Sequence, residues 1–93
     1  MINVSIINTI IVHFIDLFYL NLDSDKYHII EELSNSLVII LTENYFILDN
    51  DIKTKVNDFV DLITNSDSNK HKGLTNKTIF KILDFKEKIL NNI

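Results

Sequence analysis

The sequence predicts an all-α fold, an antiparallel four-helix bundle built as a single domain over residues 1–93. Three observations lead there. Chain punctuation is scarce, with one Gly and no Pro, whereas a sandwich of short strands needs turn residues about every 8–12 positions. Hydrophobic residues make up 46% of the chain, enough to build a core without disulfides or metals. The apolar residues recur at intervals of three and four in four separate runs, divided by breaks that hold residues suited to cap a helix.

The first helix is expected near 4–21. Ser5, Thr9, His13 and Asp16 form a narrow polar stripe, and Ile6, Ile7, Ile10, Phe14, Leu17 and Phe18 surround it, so the helix should be covered on most sides. Val4–Leu22 is long enough to span a bilayer, but it contains Ser5, Asn8, Thr9, His13, Asp16 and Asn21. A central Asp alone costs about 2.5–3.5 kcal/mol on insertion, and no flanking Lys or Arg sets an orientation. No basic segment precedes it, as one would in a secretory leader. A buried amphipathic helix of a soluble protein is the expectation.

The second helix is expected near 25–46, with Ser24 as its N-cap. Ile30, Leu33, Leu37 and Ile40 should face the core, and Glu31, Glu32, Ser34 and Asn35 should face water. Within Leu37–Leu48 the β-branched Val38, Ile39 and Ile40, followed by Thr42-Glu43-Asn44, leave open a β-hairpin. Helix is preferred, because a lone hairpin needs further strands to support it. The third helix is expected near 51–64. Asp49-Asn50-Asp51 supplies a turn, an N-cap and acid at the positive end of the dipole, and Ile52, Val56, Phe59 and Ile63 form the cleanest helical stripe in the chain.

Thr64–Leu74, which contains Gly73, reads as the longest loop, and Thr75 as the cap of a fourth helix near 76–91. Ile79, Ile82, Leu83, Ile89, Leu90 and Ile93 make the apolar face of that helix. Lys77, Lys81 and Lys88 lie opposite, within roughly 40° of one another at the helical repeat. Lys86 falls near the centre of the apolar face. Either its stem packs while the ammonium reaches water, or it contacts a partner. Phe80 and Phe85 flank the main stripe on its two sides, and one of them left exposed beside the lysines would make an interface anchor.

Charge is unevenly spread. Residues 1–69 hold three Lys against eleven Asp and Glu, a balance of −8, whereas residues 70–93 hold six Lys against Asp84 and Glu87, a balance of +4. The two parts are therefore expected to face different surroundings, unless the lysines only solvate the last helix. All nine basic residues are Lys, and Ile and Asn are abundant, as expected of a genome of low GC content.

Catalytic, metal and cofactor sites are not expected. There is no Cys, which excludes thiol chemistry and any disulfide framework. His13, His28 and His71 show no i, i+4 pairing of the kind that builds a helical zinc site. Asp23/Asp25 and Asp49/Asp51 lack the Gly and the later bidentate Glu of a calcium loop, and read as helix caps. The lone Gly73 cannot cradle a phosphate, so no small-molecule substrate is expected. Nucleic acid is not expected either, because the chain is acidic, lacks Arg and offers no stacking motif. What remains is work done by binding a partner, with Lys77, Phe80, Lys81, Lys86 and Lys88 as the candidate contacts.

The order of elements resembles a known family. A helix opens with Ile11-Val12-His13, a break ends in Asp25-Lys26-Tyr27, and a long second helix carries Ile30 and Leu33. Tyr45, the acidic turn Asp49–Asp51, the Val56–Ile63 helix and Leu74-Thr75 follow. Over roughly residues 11–90 the chain is similar to the immunity proteins of pediocin-like bacteriocins, the enterocin A immunity type in particular. The spacing from Ile11-Val12-His13 to Lys26-Tyr27 is the distinctive part, and most other matches are core hydrophobics that any bundle shares. The resemblance implies an antiparallel four-helix bundle in the cytoplasm of a Gram-positive bacterium, with no cofactor. It also implies protection of the producer from its own pore-forming peptide, by engaging the membrane mannose phosphotransferase permease with the bacteriocin bound; Lys77, Lys81 and Lys88 would add peripheral contact with the inner membrane surface. Several members carry a further C-terminal tail, whereas this sequence ends at Ile93. Outside the family, a small helical adaptor or an antitoxin-like module that blocks a protein partner fits the same residues.

Overall fold

The computed structural model describes residues 4–66 and 71–91. Four α-helices follow one another: α1 (Val4–Asn21), α2 (Tyr27–Asn44), α3 (Asn50–Thr64) and α4 (Asn76–Phe85). A 3-10 turn, Tyr45–Ile47, extends α2, and a π-helical turn, Lys86–Leu90, extends α4. The hairpin alternative for Leu37–Leu48 is overturned: α2 runs on to Asn44 and no strand occurs among the described residues. The β-branched residues there are tolerated because their helical phase alternates burial, with Leu37 and Leu41 in the core, Val38 and Ile40 packed against it and Ile39 outside.

Each helix contributes a stripe to one core: Ile11, Ile15 and Phe18 from α1, Ile30, Leu37 and Leu41 from α2, Val56, Phe59, Val60 and Ile63 from α3, and Ile79, Ile82 and Phe85 from α4. Consecutive helices run antiparallel, as a bundle with short links requires. The ring order is not the chain order, however. α1 packs on α2 and α3, and α4 packs on α2 and α3, so the ring reads α1, α2, α4, α3 and the link from α2 to α3 crosses a diagonal. The side-by-side pairs α1/α3 and α2/α4 are parallel. Asn8 meets Asp49 and Phe18 meets Phe59 in the first pair, and Glu31 meets Thr75 and Asn35 meets Lys81 in the second.

The crossing link is pinned by two core side chains. Tyr45 and Leu48 are buried. The Tyr45 hydroxyl donates to Asn57 Oδ1 at 2.9 Å, and its ring stands edge-on to Phe85 with centroids 6.3 Å apart. At the other end of the bundle Gly73 lies against the α1–α2 link, its N–H donating to the Leu22 carbonyl at 2.8 Å.

Several local expectations are corrected. Ser24 does not cap α2. Its hydroxyl donates to the Asn21 carbonyl at 2.8 Å and accepts the Lys26 N–H at 3.2 Å, closing the turn between α1 and α2, and Lys26 takes the N-cap position. Asp49 holds the N-cap position of α3 without a side-chain cap, because its carboxylate instead accepts from Asn8 Nδ2 at 2.9 Å. Asp23 is likewise no cap: it pairs with His71, Oδ1 to Nδ1 at 2.6 Å. Ser34, expected in water, is buried, which its hydroxyl permits by donating to the Ile30 carbonyl at 2.8 Å. Ile6 and Leu20 of α1 are exposed, so that helix is less enclosed than its composition suggests. Thr75 caps α4 as expected, accepting the Thr78 N–H at 3.3 Å. Ile93 and part of the Thr64–Leu74 loop lie outside the described residues.

Candidate functional site

The candidate contacts all sit on α4 and its π-helical extension, but the helix distributes them over three sides. Phe80 occupies the outward side and is 65% exposed, while Phe85 points into the core at 2%. Buried α4 residues Thr78, Ile79, Ile82 and Phe85 define the inward direction, and at 100° per residue Phe80 points nearly opposite to it. The expected exposed aromatic is therefore Phe80.

Lys77 and Lys81 lie towards α2. Together with His28, Glu31, Glu32, Ser34, Asn35 and Thr78 they line a groove of about 150 Å³ between α2 and α4. Ser34 and Thr78 are small and buried, which lets the two parallel helices approach closely. Lys81 is half-buried there and donates to the Asn35 side-chain carbonyl, and Thr75 Oγ1 donates to the Glu31 carboxylate at 3.3 Å. Glu31 and Glu32 bring negative charge to the same groove, so it carries both signs rather than a purely basic field. Lys77 is exposed.

Lys86 points the other way, towards α3, where its ammonium lies 3.6 Å from Asp61 Oδ1. That ion pair accounts for a lysine on the apolar side of the helix: the side chain is largely covered and its charge ends at a partly solvated carboxylate. The π-helical turn, closed by the Asn91 N–H donating to the Lys86 carbonyl at 2.9 Å, had no signal in the hydropathy pattern. Lys88 pairs with Asp84 one turn back, at 3.0 Å. On α4 and its extension, Lys81, Lys86 and Lys88 are thus engaged locally, and Phe80 with Lys77 is the most open part.

The histidines fall at three places: His13 lines a shallow depression on α1 with Asn8, Thr9, Val12, Asp16 and Ile52, His28 lines the α2/α4 groove, and His71 pairs with Asp23. Among the described residues no three His, Asp or Glu side chains gather in a way that could hold a metal ion. No helix among them is long and apolar enough to cross a membrane.

Two features escaped the sequence pattern. On α1, Tyr19 rests edge-on against Phe59 at 5.8 Å, and its hydroxyl is pushed above the usual value by burial first, then by the negative charges of Asp58 and Asp16. At the link between α2 and α3, Phe46 and Ile47 point outwards although their neighbours Tyr45 and Leu48 are buried. No protein-family model, no curated protein and no solved structure matches this chain.

Proposed function

We propose that this chain works by binding a protein partner rather than by catalysis, and that it serves as an immunity protein against a pediocin-like pore-forming peptide. In this role it engages the mannose phosphotransferase permease, with bacteriocin bound, from the cytoplasmic side. The observation that carries the proposal is Phe80, a large aromatic held outward on a helix whose other aromatic is buried, with an open lysine one turn before it. Exposed aromatics on a rigid helix are the usual energetic centre of an interface. The finer reading rests on the resemblance, which implies an all-α bundle, the fold class this chain has. The lysines of α4 contribute a second, weaker attraction. Near an anionic leaflet each is worth about 1 kcal/mol, so Lys77 with the more engaged Lys81 and Lys88 can bias the protein towards the inner membrane surface without inserting it.

The test is expression in a sensitive Gram-positive strain challenged with a panel of pediocin-like peptides. The native chain should protect against at least one of them. Phe80→Ser should keep the helical circular dichroism spectrum and lose protection, and the triple change of Lys77, Lys81 and Lys88 to Gln should weaken it at native expression level. A native chain that protects against none of the panel overturns the immunity role. Full protection by Phe80→Ser removes α4 as the working surface.

A further inference from the structure

We infer that the end of the bundle where α2 passes into α3 is a docking surface for a cationic amphipathic helix. Three large apolar side chains stand in solvent there: Ile39 at 61% exposure on the last turns of α2, and Phe46 at 62% and Ile47 at 52% on the 3-10 turn. They are not on a frayed end. The turn is held from both sides by Tyr45 and Leu48, which are buried, and by the Tyr45 hydroxyl on Asn57. Phe46 and Ile47 are therefore presented on a fixed backbone, so little ordering is needed when a partner arrives.

The charges around this patch select the partner. Glu43 lies four residues after Ile39 and three before Phe46, and the exposed Asp49 and Asp51 follow the turn directly. No lysine or histidine among the described residues forms an ion pair with any of these three carboxylates. Lys53 is the nearby cation, and it is tied to the turn rather than to a carboxylate: its ammonium donates to the Phe46 carbonyl at 3.5 Å and stands 5.6 Å from the centre of the Tyr45 ring. Exposed apolar side chains thus share one stretch of chain with carboxylates that have no ion-pair partner among the described residues. A helix with an apolar stripe flanked by Lys or Arg complements it in both respects.

Size argues against a second copy as the occupant. Three side chains at this exposure offer on the order of 300 Å², whereas a stable protein pair covers roughly 800 Å² on each partner. Charge argues against an anionic membrane, which the carboxylates would repel. The surface is built from α2 and the 3-10 turn, whereas Phe80 belongs to α4, so failure of the surface would leave the role proposed for α4 untouched.

The probe is a fluorescently labelled helical peptide of Leu and Lys at amphipathic spacing, titrated with the native chain and read by anisotropy, beside the same peptide with Glu in place of Lys. Binding of the Lys peptide and not of the Glu peptide is expected. Phe46→Ser with Ile47→Ser should weaken it by about tenfold or more, and so should Ile39→Lys, which leaves the turn intact should the double variant fail to fold. Glu43→Gln with Asp51→Asn should also weaken it, and more than Asp25→Asn with Asp58→Asn, which removes the same charge elsewhere. Equal loss in the two charge variants would mean unspecific attraction to an acidic protein and would overturn the proposal. Unchanged affinity in both apolar variants overturns it as well. A native dimer in sedimentation that Ile39→Lys dissociates would assign the patch to a second copy instead. Flotation with phosphatidylcholine vesicles that the same variant abolishes would assign it to lipid.

Discussion

Phe59 is where three aromatic rings meet. Phe18 stands edge-on to it with centroids 4.8 Å apart and Tyr19 does so at 5.8 Å, and its own side chain is fully enclosed. Removing the ring deletes a large buried surface and leaves a cavity between α1 and α3 that two rigid helices cannot close. Phe59→Ala is expected to cost about 3–5 kcal/mol, a large share of the stability of a domain this small, and denaturant unfolding measures it. Tyr19 adds a titration that can be followed directly. Its phenol is held above its usual value near 10 by burial, with Asp58 and Asp16 adding to the effect. The fold therefore prefers the neutral form. That preference is fully present below the unfolded value and is lost as pH rises through the folded one, so stability should fall on the alkaline side. Ultraviolet titration should show Tyr19 ionising above its usual value, and Asp58→Asn should bring it part of the way back. A Tyr19 titration unmoved by Asp58→Asn would leave burial and Asp16 as the causes.

Elements meet through backbone as well as side chains, and Gly73 marks the tightest such place. A Cβ built there would lie 2.7 Å from the Asn21 carbonyl oxygen and 2.9 Å from that of Leu22. Both are backbone atoms at the end of α1, so the loop before α4 would have to lift and give up its bond to Leu22. Gly73→Ala is expected to destabilise by about 1–3 kcal/mol, as overpacking does, with a lowered thermal midpoint as the readout. The existence and phase of the helices could be read from periodicity, most cleanly in α3, where Val56, Phe59 and Ile63 are all buried. Periodicity sees only apolar residues, and for that reason it missed Ser34, whose hydroxyl is satisfied within its own helix and whose small size suits a close helix pair. Capping residues were ambiguous for a related reason. Ser24 and Asp49 have the right chemistry, but each found another partner one step away in the turn. On α4 the spacing placed Phe80 and Phe85 on two sides of the stripe. Which of the two was enclosed depended on where α2 and α3 lie around α4, and that is a property of the assembled bundle.

For the molecule as a whole, ring order is the feature that no local pattern carries. Nothing in four amphipathic stripes says that α1 neighbours α3 rather than α4, and the decision is made at the diagonal link, where Tyr45 and Leu48 bury themselves beneath the bundle end. The same assembly explains why a sequence divided into an acidic body and a basic tail does not give a divided surface. α4 lies between α2 and α3, so its lysines meet Asn35 on one side and Asp61 on the other. The chain is thereby two helical hairpins, α1–α2 and α3–α4, each offering an open apolar face that the other closes. Cut within the link, residues 1–48 and 49–93 should each lack a partner for half of the core and remain poorly ordered alone. Mixed in equal amounts they should recover a helical spectrum and a cooperative thermal transition, as complementing fragments do, with loss of one tie between them: the Tyr45 hydroxyl on Asn57 would hold across the cut, but the covalent crossing would not. A bundle ordered around the ring in chain sequence could be divided in the same place, but its halves would then meet through antiparallel pairs only. Here the halves must recognise each other through parallel ones, α1 with α3 and α2 with α4, so cysteines placed at Asn8 and Asp49 should crosslink the mixed fragments.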